Sequence, residues 1–278
     1  MKRFFFLVCS LVSVVAVAAV TPDVAKAEKQ AVTENKTAAA KQKLTAAQVI
    51  NKNVAVRGGL KAWRAVKTLT LSGRVEGGGK KNTDLPFVMK MERPRMSRLE
   101  IRFRDQTALQ VYDGEHGWKV RPFLGRNEVE PFTPAEAKAA ETWAELDGPL
   151  VDYDKKGSKV ALVGMESVEG NMAYKLRLTL KNGEERHVWV DAVSFLERKI
   201  DGDPRKMDGK LRNVAIYYRD YQTVNGLTMP HVLETIDEGG QKSHKLYIEQ
   251  VAINQPIEDK LFAKPQLAMS SSFNRPAE

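Results

Sequence analysis

The chain has a single cysteine, Cys9, and it lies inside an apolar run near the N-terminus. If that run is removed, no thiol remains. Disulfides and thiolate metal sites are then excluded, and the fold must be held by its core alone. Histidine is also scarce: His116, His187, His231 and His244 are the whole set. None shows HExxH or a related ligand spacing, so no metal site is expected. GxSxG, SxxK and P-loop patterns are absent, which leaves hydrolytic and nucleotide-driven readings without a motif. Asp113 and Glu115 flank a turn and lack the opposed placement that paired-carboxylate chemistry needs. No catalytic residue, no enzymatic activity and no cofactor are expected. Basic residues do not interleave with aromatics in any RNA- or DNA-binding pattern, so nucleic acid is not an expected partner.

What is present starts at the N-terminus. Met1-Lys2-Arg3 is a positive segment, Phe4–Val20 is apolar and uncharged, and Ala25-Lys26-Ala27 has the small-x-small form that signal peptidase cuts. This is the layout of a cleavable secretory signal over residues 1–27. Seventeen apolar residues are also at the short end of what spans a bilayer as an anchor. Secretion into the periplasm is expected, and ATP and nicotinamide cofactors are scarce there. The net charge of +9 is spread along the chain. It would favour anionic lipid headgroups or an acidic partner.

Residues 28–44 are polar and rich in Ala, Lys and Gln, and read as a flexible leader. Thr45 with Gln48 then forms a capping box that opens a helix through Ile50 and Val54, ended by Gly58-Gly59. From Lys67 the hydrophobic period drops from 3.6 to 2. Leu69 and Leu71, then Leu99, Ile101 and Phe103, then Leu176 and Leu178, then Ile216 and Tyr218 mark successive half-buried strands. Asn182-Gly183 and Asn225-Gly226 read as hairpin turns. A second capping box, Thr133 with Glu136 and Pro134 between them, opens a mid-chain helix whose apolar face carries Ala139, Trp143 and Leu146. Asp201–Gly209 has too few carboxylates and too much positive charge for a calcium loop, and reads as a solvated hairpin loop. Residues 264–278 read as a disordered tail.

About eleven antiparallel strands with one helix before and one inserted give a mainly β (α+β) fold: an incomplete antiparallel β-barrel over residues 45–263, covered by one or two helices. Eight closed strands are filled by their own side chains, and about eleven should leave space inside. Inward-facing residues are Leu, Ile, Val, Phe, Met and Trp, so that space would be apolar. The same side chains would also suit a two-layer core with no cavity, and periodicity alone leaves both open.

Four segments carry a resemblance. Ala47-Gln48-Val49-Ile50 leads through Gly58-Gly59 to Val66-Lys67-Thr68-Leu69-Thr70. Val111-Tyr112-Asp113-Gly114-Glu115-His116-Gly117-Trp118 is a turn flanked by strands. Tyr174–Arg177 precedes Val188-Trp189-Val190-Asp191 and Phe195-Leu196-Glu197-Arg198. Tyr221–Pro230 is a hairpin near the C-terminal end. Together they resemble the LolA/LolB-like superfamily of periplasmic outer-membrane lipoprotein-sorting (lipoprotein carrier) proteins. The resemblance implies a LolA-like barrel with an apolar cavity for acyl chains, a helical lid, and a strand arginine bonded to that lid; Arg74, Arg98, Arg102 and Arg177 are strand arginines here.

The expected function is therefore carriage of lipid or lipoprotein acyl chains toward the outer membrane by a monomer, between donor and acceptor membrane proteins. The alternative is a non-transporting envelope sensor or scaffold of the same fold that binds a protein partner. The expected cavity and lid residues are Leu69, Leu71, Leu99, Ile101, Phe103, Trp118, Trp143, Leu146, Leu176, Leu178, Ile216 and Tyr218, with Trp118 and Trp143 at the mouth.

Overall fold

The computed structural model describes residues 44–76, 84–207, 210–237, 239–240 and 243–266. The expected signal, most of the leader and most of the tail lie outside them. The fold belongs to one compact unit that begins at Thr45. Helix α1 (Ala46–Val56) starts on the expected capping box, with Thr45 and Gln48 bonded reciprocally. It buries Val49, Ile50, Asn53 and Val54, one apolar stripe broken by one amide. The Asn53 Nδ2 donates to the Phe195 carbonyl at 2.8 Å, so the amide is buried with a partner. A short helix α2 (Leu60–Ala65) follows and buries Trp63.

All strands among the described residues join one antiparallel sheet. They are β1 (Thr68–Glu76), β2 (Asp84–Glu92), β3 (Met96–Phe103), β4 (Gln106–Tyr112), β5 (Gly117–Arg121), β6 (Arg126–Pro131), β7 (Lys159–Val168), β8 (Asn171–Thr179), β9 (Glu185–Asp191), β10 (Glu197–Met207), β11 (Lys210–Val224), β12 (Leu227–Asp237) and β13 (Ser243–Ile253). The spatial order runs β6 to β1, then β13 back to β7. Two meanders are thus joined where β1 pairs with β13. The sheet is an incomplete barrel whose open edges are β6 and β7. Helix α3 (Pro134–Trp143) and the turns after it connect those two edges.

The sheet has thirteen strands against an expected eleven. One reason is the short, charged β6, which has little apolar alternation to reveal it. The span 201–207, expected as loop, is also strand: it adds no strand but lengthens β10, which runs through Met207, and β11 begins at Lys210. Its polar, charged sequence lacks the apolar alternation that marks a strand. The Asn225-Gly226 turn has both residues at positive φ, 50° and 80°, as a tight two-residue hairpin turn requires. The Asn182-Gly183 turn is longer than expected. Leu180 and Glu184 close it, with the Gly183 N–H on the Leu180 carbonyl at 2.9 Å and Gly183 at φ 85°.

Candidate functional site

Cross-strand register sorts the residues by face, because directly paired residues point the same way. Leu71, Met89, Leu99, Gln110 and Lys119 form one row across β1–β5. Leu162, Leu176, Val188, Ile200 and Ile216 form another across β7–β11. Between these rows lies a cavity of about 590 Å³, within the size range of small-molecule sites. Its apolar wall includes Leu71, Met89, Leu178, Ile216, Met229, Leu233 and Ile248. The helical segment reaches the same wall through Trp63 and Arg57, and α3 through Trp143.

Seven of the twelve expected residues line this space: Leu69, Leu71, Trp143, Leu146, Leu178, Ile216 and Tyr218. Five do not. Trp118 pairs with Val111, which pairs with Arg98, which pairs with Lys90. That row is on the opposite face from Met89, so Trp118 points away from the cavity and packs beside His116, ring centroids 6.1 Å apart. Leu99 and Ile101 share the inner face but lie beyond the cavity's limits. Phe103 packs edge-on against Phe123 at 5.7 Å. Leu176 is in the lining row and fully buried, but it lies outside the cavity's limits.

Periodicity marked Met89 and Met91 as strand residues, yet they were not among the expected contacts although both line the wall. Methionine is unbranched and polarizable, which suits a wall that must adapt to its contents.

The polar part of the site was not foreseen. The Arg57 Nη1 meets Glu197 Oε1 at 2.9 Å, with both side chains only 7% exposed. The Arg57 guanidinium also lies over the Trp63 ring at 4.7 Å. The Tyr221 hydroxyl donates to Glu197, to its carbonyl at 2.9 Å and its Oε2 at 3.2 Å. Burial, and then the Glu197 charge, push the phenols of Tyr218 and Tyr221 well up, so both stay neutral.

The end of α3 and the segment after it are held at the cavity by ion pairs. Asp147, 2% exposed, takes Arg93 at 2.6 Å and Lys156 at 2.5 Å. Glu145 takes Arg95 and Lys156, both at 2.8 Å, and Glu141 takes Arg95 at 2.8 Å. Asp152 holds Arg64 through both oxygens. None of the four strand arginines singled out from the sequence is described as bonding this segment. Arg74 pairs with Asp84 and Glu249, Arg98 and Arg102 with Glu100, and Arg177 with Glu185. The arginines that do reach it stand at helix ends and in the β2–β3 turn.

The sequence segments singled out above have structural roles. Asp191 accepts from the Val193 and Ser194 N–H groups and from Arg198, which fixes the β9–β10 turn and places Glu197 opposite Arg57. In the Tyr112–Trp118 turn, Asp113 accepts from the N–H groups of Glu115 and His116. Gly58 lies so close to the Tyr221–Pro230 hairpin that a Cβ would sit 2.3 Å from the Gly226 carbonyl.

Comparison with solved structures gives the fold. An outer membrane lipoprotein-sorting protein domain from Vibrio parahaemolyticus aligns at TM-score 0.52 and 14% identity, covering 77% of this chain and 97% of its own. A LolA superfamily protein from Nitrosomonas europaea aligns at 0.51 and 15%, covering 80% and 99%. The chain has a LolA-like fold. A DUF1329 family protein from Desulfovibrio piger shares that fold at 0.52 and 17%, covering 77% of this chain and 95% of its own. A family model described as "Uncharacterized protein" matches residues 150–269, the half of the LolA-like sheet from β7 onward. No curated protein matches the chain. Among the described residues, no helix is long and apolar enough to cross a membrane, and no group of His, Cys, Asp and Glu is placed to hold a metal ion.

Proposed function

We propose that the protein is a periplasmic carrier that takes acyl chains of a lipid or lipoprotein into its cavity and moves them toward the outer membrane. The cavity of about 590 Å³, with a wall that includes Leu71, Met89, Leu178, Ile216, Met229, Leu233 and Ile248, carries this reading. An acyl chain leaving a bilayer for water loses roughly 0.8 kcal/mol per methylene, on the order of 10 kcal/mol for a long chain. A lipid crossing an aqueous compartment therefore needs an apolar container. A wall of Leu, Met and Ile supplies one without any energy-consuming step. The secretory layout of residues 1–27 and the likeness to a lipoprotein-sorting protein domain from Vibrio parahaemolyticus agree with it.

Organic extraction of protein purified from periplasm, followed by mass spectrometry, tests the reading. Acyl-bearing molecules should accompany the protein at near-stoichiometric amounts. A lipid-free protein with no affinity for a fluorescent fatty acid would overturn it and leave the scaffold alternative.

A further inference from the structure

The charges on the cavity wall are almost all answered within the protein. Arg57 has Glu197, Arg95 has Glu141 and Glu145, and Lys156 has Glu145 and Asp147. Lys138 on α3 has Glu184 at 2.9 Å, and Arg186 has Asp203 and Glu184. The lining carboxylate of Asp201 is engaged by His187 at 2.9 Å. Lys181 lines the same cavity, is exposed, and has no acidic partner among the described residues.

Lys181 sits at the tip of the β8–β9 turn, beside Asn182. The Asn182 Oδ1 already accepts the Glu184 N–H at 3.0 Å, and its amide group donates one N–H to the Glu184 carboxylate, which leaves the second N–H to donate. The Ser158 hydroxyl lies on the same lining with no described hydrogen bond. The unanswered polar groups of this rim are thus an ammonium, one amide N–H and a hydroxyl, all able to donate. The apolar wall begins one residue before Lys181, at Leu180, and continues through Leu178. An amphiphile with its chain along that wall would bring its polar end to Lys181.

The geometry points to an anionic headgroup, a carboxylate or phosphate, held at the cavity rim by Lys181 and Asn182. This inference rests on the carrier reading and specifies the class of cargo: an acidic amphiphile in preference to a neutral one. Ammonium and amide donors match carboxylate and phosphate oxygens, and a neutral glyceride offers no charge to meet the lysine. Because the rim is exposed, the preference should weaken as salt is raised.

The test compares binding of palmitate, phosphatidylglycerol and, as neutral controls, hexadecanol and diacylglycerol to the mature protein, Lys181→Glu and Lys181→Arg. Charge reversal at an exposed pair should weaken the acidic ligands by about three- to tenfold and leave the neutral ones unchanged, while Lys181→Arg retains wild-type preference. Loss for palmitate alone identifies a carboxylate cargo, and loss for phosphatidylglycerol alone a phosphate one. Equal affinity of wild type for acidic and neutral ligands, or no effect of Lys181→Glu on the acidic ones, would overturn the headgroup assignment while carriage stands. Failure of every ligand to bind would overturn both.

Discussion

Arg57 and Glu197 are 140 residues apart in the chain, yet their side chains meet at 2.9 Å in a nearly dry setting. The pair ties the end of α1 to the start of β10, and Tyr221 on β11 fills the remaining acceptor of the carboxylate. Removing one partner leaves the other charge buried. Glu197→Ala should therefore cost about 3–5 kcal/mol. Urea unfolding of Glu197→Ala, Arg57→Ala and the double variant measures it. The double variant should lose less than the two singles together.

Asp191 gives a pH dependence with a defined sign. Burial by itself would raise its pKa, but the Ser194 and Val193 N–H groups, the Ser194 hydroxyl and Arg198 overcome that and bring it down from 3.8 to about 2. A depressed folded pKa contributes stability above the unfolded value, and that stability is lost as pH falls through the folded one. The contribution should be complete above about pH 4 and fade toward pH 2, with a size of roughly 2 kcal/mol. Comparing Asp191→Asn with wild type in urea from pH 6 to pH 2 checks it: the gap between them should narrow across that window.

Filling the cavity should abolish chain binding at modest cost to the fold. Ile216→Trp adds bulk to the inner wall, and overpacking of this kind costs about 1–3 kcal/mol. Affinity for a fluorescent fatty acid should fall by at least about tenfold, by analogy with one lost buried side chain. Trp118→Ala, on the opposite face, should leave that affinity unchanged.

Gly58 should not accept a side chain. Its φ is 111°, and a Cβ would sit 2.3 Å from the Gly226 carbonyl. Gly58→Ala should destabilise by more than about 1 kcal/mol. Thermal unfolding reads this directly, and Gly59→Ala separates the two causes. Gly59 has φ 89° but open space, so its variant suffers only the backbone strain.

Local signals were the legible part of this molecule. Thr45 with Gln48 and Thr133 with Glu136 marked both helix starts, because a capping box is complete within four residues. The alternation at Leu69, Leu71, Leu176 and Leu178 gave the strands and their inner faces. Trp118 was misassigned because an aromatic side chain reveals burial tendency but not which face of an open, curved sheet it joins. Only the register through Val111 and Arg98 decides that. The ionic contacts at Glu197 and Asp147 were invisible for another reason: their partners are far away in sequence, and no local pattern encodes the meeting.

Photo-crosslinking of a diazirine-bearing fatty acid to the mature protein locates an acyl chain most directly. Label is expected on peptides carrying Leu178, Ile216 or Leu233, and it should disappear with Ile216→Trp. Label confined to the outer-face peptide of Trp118, or no saturable label at all, would contradict a chain held inside the barrel.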